Sequence, residues 1–308
     1  MPISAEQPVT ALQIFLQNRQ LTCGGWPALA YSSQPSLEAT SLAALALGQR
    51  DTGAVAKAQD FLLRSQNSNG SWPVFPGDDE AGCWVTSLAT LALRDLAPAI
   101  PARLKGLDWL LNSRGKESHW LWKWKFRTAD RHVRFDPDKF GWPWVPDTVS
   151  WVVPTAFAIL ALRQAPCPCH GLERTAIRVE RGMQMLLDRA CPGGGWNAGN
   201  GVVYDCPLAA HADDTAIALL ALRHQPEEPF VRRSVAWLKE AATTLAAPWS
   251  LSWSILALAA HDLAPQSLVA LLLDLHYLDR IEDNSSLALA CLALDHRRAL
   301  SALGVEEL

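Results

Sequence analysis

Two kinds of apolar pattern alternate along the chain. The first is apolar nearly all round and rich in Leu and Ala. It reads TSLAALAL at 40–47, TSLATLAL at 86–93, TAFAILAL at 155–162 and TAIALLAL at 215–222. Weaker copies end at Leu258 and Leu294. A helix without a polar face must be buried on every side, and the scarcity of β-branched residues argues against strands. The second pattern is amphipathic, with apolar residues three and four apart. It covers 10–19, 56–66, 104–113, 178–189, 230–240 and 267–275. Each such segment predicts an outward helix with one buried stripe.

The prediction is therefore six pairs of one outer and one inner helix. The final Leu residues of successive inner copies lie 46, 69, 60, 36 and 36 residues apart. The two wide gaps predict inserts at about 114–150 and 190–212. Six inner helices buried on all sides close most simply into an all-α barrel of one domain, 1–308. Closure removes the two end repeats that an open solenoid, the alternative, must cap.

Several outer segments share an ending. It is Phe15-Leu16, Gln20, Gly24-Gly25-Trp26 in the first repeat and Phe61-Leu62, Gln66, Gly70-Ser71-Trp72 in the second. The fourth reads Met185-Leu186, Gly194-Gly195-Trp196, with Ala190 in place of the Gln. The third (Trp109-Leu110) and fifth (Trp237-Leu238) keep only the opening pair. A Gly past a helix end takes the left-handed conformation that stops the helix. The Trp is expected to fold back over that end, with the Gln amide bonding exposed backbone groups.

These endings resemble the QW repeats of squalene-hopene and oxidosqualene cyclases and of prenyltransferase β subunits. The chain looks most like single-barrel bacterial prenyltransferase/squalene oxidase repeat proteins. The resemblance implies an α6–α6 toroid. It also implies a function: class II terpene cyclase-like isomerisation, in which a carboxylic acid protonates a linear isoprenoid or its diphosphate. The class II motif Asp-x-Asp-Asp-Thr-Ala is matched by His211-Ala-Asp213-Asp214-Thr-Ala. By position, Asp213 is the proton donor, with Asp214 and His211 tuning it. The first position departs, being His211. Burial and a like-charged neighbour raise a carboxyl pKa, whereas a helix N-terminus and a cationic His lower it. Asp is also an ordinary helix cap. Glu38 holds the equivalent position before Thr40.

The chain has 14 Trp against 3 Tyr, which suggests an aromatic-lined pocket or a structural Trp in each repeat. Candidate substrate-binding residues are Trp142, Trp144, Trp151, Phe157, Trp196, Tyr204, Trp253 and Glu38. In the first insert Trp120, Trp122 and Trp124 alternate with Lys123 and Lys125. An extended stretch would put Trp on one face and Lys on the other. Lys123, Lys125, Arg127, Arg131 and Arg134 are candidates for gripping a diphosphate. Alternatively the segment is a lid whose bases are neutralised by Asp130, Asp136 and Asp138.

Net charge is −4, which argues against a nucleic-acid partner. No apolar run is long enough to span a membrane, although peripheral membrane contact fits an isoprenoid substrate. Seven cysteines at irregular spacings fit reduced thiols and a cytoplasmic location. No cofactor is required, with Mg2+ expected only beside a diphosphate. Two-barrel cyclases being usual in the family, a homodimer or second subunit is a further expectation. The alternative functions are a zinc-dependent prenyltransferase-like subunit and a non-catalytic isoprenoid-binding protein. Asp205, Cys206 and His211 lack the family's zinc spacing, and Cys167-Pro-Cys169-His170 lacks a second ligand pair.

Overall fold

The computed structural model describes residues 6–48, 51–78, 80–129, 134–165, 172–274 and 280–305. Among these, the inner helices are α2 (Leu37–Leu47), α4 (Cys83–Ala92), α7 (Val152–Arg163), α9 (Ala212–Ala221), α11 (Pro248–Ala260) and α13 (Asn284–Leu294). Each packs on the next in that order, and α13 packs on α2, so the ring closes. Outside it run α1 (Glu6–Gln17), α3 (Thr52–Arg64), α5 (Ile100–Asn112), α8 (Leu172–Asp188), α10 (Pro229–Ala241) and α12 (Gln266–Leu273). This is the α6–α6 toroid that the alternating patterns predict. Ala at every second or third inner position lets the helices approach closely, while Leu, Phe157 and Trp253 fill the axis.

A further helix, α14 (His296–Leu303), lies across the C-terminal ends of the ring, against α2, α4, α11 and α13. Arg298 donates to the Leu47 carbonyl (3.4 Å), Arg94 to that of Ser301 (2.5 Å) and Gln164 to that of Gly304 (3.2 Å). Carbonyls orphaned at helix ends thereby find donors.

The repeat endings form one staple four times. The indole N–H groups of Trp26, Trp72, Trp142 and Trp196 donate to the carbonyls of Leu16, Leu62, Leu110 and Leu186 at 2.6–2.8 Å. The backbone N–H of each Trp donates to the hydroxyl of Thr40, Thr86, Thr155 or Thr215, all at 2.9 Å. The staple so ties an outer helix to the inner helix that follows it. Gln20 and Gln66 each donate 2.8 Å bonds to two carbonyls, one of them on the next outer helix (Ala54, Ala102). The glycines behave as the pattern requires. Gly24 and Gly70 have φ of +93° and +94°, and a Cβ there would strike the carbonyl of Lys57 or Lys105.

The third repeat corrects the reading of its sequence. It does have the staple, in Trp142. Leu and Trp are 10 residues apart in the other three copies and 32 apart here. The surplus holds a short helix, α6 (Trp120–Thr128), where an extended stretch was expected. Trp120 and Trp124 therefore share one exposed face, and Trp122 lies between the ammonium groups of Lys116 (4.6 Å) and Lys125 (4.7 Å). The insert is anchored by a buried ion pair between Glu117 and Arg189 (3.5 Å), with the Arg189 guanidinium 4.0 Å from the Phe135 ring centre. The second insert carries a hairpin of two short strands, Val202–Val203 and Cys206–Pro207.

Candidate active site

With α14 across one end, the other end of the ring is the rim where the inner helices begin. The second residue of five of them is only partly buried: Glu38, Trp84, Val153, Asp213 and Trp249. The helix interiors below are almost wholly buried. Free backbone N–H groups of the first turns converge on the same rim and favour negative charge there.

Ring order fixes which residues oppose each other. Helix α9 is third from α2 in either direction, so Asp213 stands across the mouth from Glu38. By the same count Trp84 on α4 stands across from Trp249 on α11. Neighbouring axes about 8–10 Å apart put opposite axes of a six-membered ring about 16–20 Å apart.

Neither carboxyl is occupied as a helix cap. Ser36 caps α2 by accepting from the Ala39 N–H (3.4 Å), which leaves Glu38 to the mouth. His211 holds the cap position of α9, without a capping side-chain bond. Glu38 is enclosed by protein yet keeps some accessible surface, as a side chain lining a hollow does. Burial pushes its carboxyl up to about 7, helped by repulsion from Asp283 and opposed by a hydrogen bond from the Trp84 indole. Asp214 is buried, and its Oδ2 lies 2.9 Å from His211 Nδ1. Burial raises the Asp214 pKa, as does Asp213, against the pull of His211. Asp213 makes no side-chain hydrogen bond or ion pair with a described residue, so its carboxyl is available to a ligand.

Aromatic rings line the rim and the wall below it. Trp144 meets Trp84 edge to face at 5.0 Å. Trp249 meets Trp253 edge to face at 5.9 Å, and Trp253 lies 5.6 Å from Phe157. Trp151 is half-buried beneath Gly199 of the second insert, where a Cβ would stand 3.2 Å from its ring.

Several sequence expectations are corrected here. Trp142 and Trp196 are fully buried in staples and offer no surface to a substrate. Phe157 and Trp253 are closed beneath the rim, the Trp253 indole N–H lacking an acceptor among the described residues. Tyr204 sits exposed at the turn of the hairpin. Among the described residues, the candidate diphosphate-binding bases of the first insert are engaged within the protein. Lys123 (2.7 Å) and Arg127 both pair with Asp138, and hold that carboxyl below the usual range. Arg134 pairs with Asp205 across the two inserts (2.6 Å), and Lys125 covers Trp122. Arg131, Cys167, Cys169 and His170 lie outside the described residues. Among the described residues no cluster of three or more His, Cys, Asp or Glu could hold a metal. No helix among them is long and apolar enough to cross a membrane.

Trp84 and Trp249 were not singled out from the sequence. Trp84 precedes Thr86 as Glu38 precedes Thr40 and Asp213 precedes Thr215, so register could have found it. Trp249 lacks that marker, since Leu251 stands where the Thr would be.

No protein-family model matches the chain, and no curated protein matches it. Solved structures do. The type II terpene cyclase MstE from Scytonema, in complex with merosterolic acid A as product, superposes with a TM-score of 0.59 at 12% identity, over 98% of each chain. A family 8 glycosyl hydrolase from Klebsiella pneumoniae, an endoglucanase, gives 0.62 at 15%, over 94% of this chain and 99% of that one. Protein geranylgeranyltransferase-I from Candida albicans gives 0.51 at 16%, over 73% and 66%. At these identities the likeness is one of fold: this chain shares the α/α toroid of those enzymes.

Proposed function

We propose that the protein is a class II terpene cyclase-like isomerase, acting at the barrel mouth on a linear isoprenoid. One observation carries the reading. The Asp213 carboxyl is unbonded among the described residues, stands on the first turn of α9 across from Glu38, and has indole rings on the crossing diameter. A substrate filling the mouth excludes water from the reacting carbons. Asp213 then gives its proton to one carbon of a terminal double bond, and the other carbon becomes a cation. The faces of Trp84, Trp144 and Trp249 stabilise positive charge as it moves through the chain. A proton lost to the Glu38 carboxylate leaves a new double bond, and the product is an isomer of the substrate. Asp214, held by His211, positions Asp213 and returns protons from solvent.

The chemistry needs no cofactor. Because Lys123, Arg127 and Arg134 already have acidic partners, a hydrocarbon or neutral substrate fits better than a diphosphate, and Mg2+ is needed only with the latter. A second subunit would complete the mouth if the inserts do not. The test is incubation with squalene, farnesyl diphosphate and geranylgeranyl diphosphate, comparing wild type with Asp213→Asn by mass spectrometry. A cyclic isomer lost in the variant supports the reading. No turnover of any of them removes it.

The same two carboxyls favour a second reading, glycoside hydrolysis. An acid and a base on opposite sides of a sugar, about 6.5–9.5 Å apart, cleave with inversion, and indole faces stack on sugars. Release of reducing ends from soluble cellulose would select it. Stoichiometric zinc in the purified protein would instead select the prenyltransferase-like alternative.

A further inference from the structure

The Gln staple of the first two repeats is replaced in the third, and the replacement creates a cationic cleft. Arg114 stands where Gln20 and Gln66 stand, four residues past the Leu of the pair. A guanidinium can donate to the next outer helix as an amide does, but it brings a charge. Here it does not staple. Arg178 of α8 takes over, donating to the carbonyls of Ser113 (3.0 Å), Phe140 (3.3 Å) and Gly141 (2.6 Å). Arg178 is buried, stacked 3.3 Å from the centre of the Trp142 ring, and its Nε–H has no acceptor among the described residues.

These groups line a cavity of about 290 Å³ on the outer wall, between α5, α8 and Phe140. Four guanidinium groups, of Arg114, Arg174, Arg178 and Arg181, meet there with the single carboxylate of Glu173. Arg174 has an acidic partner, Asp108 at 3.9 Å. Arg114 and Arg181 have none among the described residues. The excess is costly. Burial, and then repulsion from Arg114 and Arg181, push the Arg178 pKa down to about 9. Like charges gathered in one cleft are stabilised by an anion that bridges them.

We propose that this cleft binds a phosphate-bearing small molecule. Its phosphate oxygens accept from the forks of Arg114 and Arg181, and its uncharged part lies against Ile177. Paired guanidinium forks match phosphate oxygens, and each charge-assisted bond is strong. The site is on the outer wall and does not depend on Asp213.

The probe is inorganic pyrophosphate, titrated calorimetrically at low salt into wild type, Arg114→Gln and Arg114→Gln/Arg181→Ala. Arg114→Gln restores the residue of the first two repeats, so it preserves the fold, as circular dichroism would verify. Affinity should fall about tenfold in the single variant and further in the double, as the loss of one or two charged hydrogen bonds implies. Asp213→Asn should bind like wild type, which separates this site from the proposed catalytic one. Vesicles of phosphatidylcholine with or without phosphatidic acid identify the source. Binding of acidic vesicles alone, lost in the double variant, assigns the phosphate to a lipid headgroup. Pyrophosphate binding assigns it to a soluble ligand. The proposal is overturned if neither probe binds, if neutral vesicles bind equally well, or if the variants bind undiminished.

Discussion

Glu38 and Asp213 hold the same place, the second residue, on inner helices that lie directly opposite in the ring. One is enclosed, with its pKa raised by burial; the other makes no side-chain bond to a described residue. Two carboxyls on opposite sides of a substrate can divide the work, one delivering a proton and the other collecting one. Asp213→Asn should lower turnover about 100-fold or more, the usual contribution of a positioned acid. Glu38→Gln should leave the first protonation intact and divert the cation, so that alcohols or different olefins replace part of the product. Mass spectrometry of the products distinguishes the two. Equal and complete loss in both variants would contradict separate roles.

The raised Glu38 pKa makes a prediction about stability. The folded protein holds that proton up to about pH 7, whereas the unfolded chain releases it near 4.5. The folded state therefore binds more protons between those values, and stability falls as pH rises through that window. Glu38 favours folding fully below pH 4.5, and loses that effect by pH 7. The raised Asp214 adds a change of the same sign. Glu38→Gln, which stays neutral, should flatten part of this slope, by an amount on the order of 1–3 kcal/mol. Thermal melts from pH 4.5 to 8 measure it. Parallel curves for wild type and variant would show that Glu38 is not in the low-dielectric setting described.

The ring was legible in the sequence because burial on all sides leaves a mark: Leu and Ala with no polar face, opened by Thr. Asp213 and Glu38 were legible for the same reason, each standing two residues before that Thr. The third staple was not. Trp142 pairs with Leu110 over 32 residues, and an insert hides the period. Proximity to that insert then suggested a pocket role for Trp142, although its N–H is committed to a backbone carbonyl. The Trp/Lys run misled for another reason. Trp120, Trp122 and Trp124 at two-residue spacing suit an extended stretch, yet with no neighbouring strand to pair with, the backbone satisfies itself as a helix.

The staples should be worth more to stability than any surface Trp. Trp72→Ala removes a fully buried ring and leaves the Leu62 carbonyl with the Ser65 N–H alone among described donors. A loss of about 3–5 kcal/mol is expected from the cavity alone. Trp72→Phe keeps most of the volume and should cost about 1–2 kcal/mol for the missing hydrogen bond. Trp124→Ala, on the exposed face of α6, should change stability by less than about 0.5 kcal/mol. Urea unfolding ranks the three. If Trp142→Phe behaves like Trp72→Phe and leaves substrate affinity unchanged, the structural role of Trp142 stands.

A buried ion pair is one of the anchors of the first insert. Glu117 and Arg189 are 0% and 2% exposed at their side chains, and the Glu117 carboxylate also accepts from the Ser150 N–H (3.2 Å). Removing one partner of such a pair strands the other without solvent, which costs about 3–5 kcal/mol, whereas exchanging both for apolar groups costs far less. Glu117→Leu should therefore destabilise strongly, and Glu117→Leu/Arg189→Met should recover much of the loss. Ser150 lies just before α7, so the single variant should also loosen the rim at Trp151 and speed proteolysis within 114–141. Limited proteolysis with chemical denaturation tests both effects. An additive double variant would mean that the two charges are not coupled, and that the bonds of Asp136 and Lys139 to Asp188 hold the insert without them.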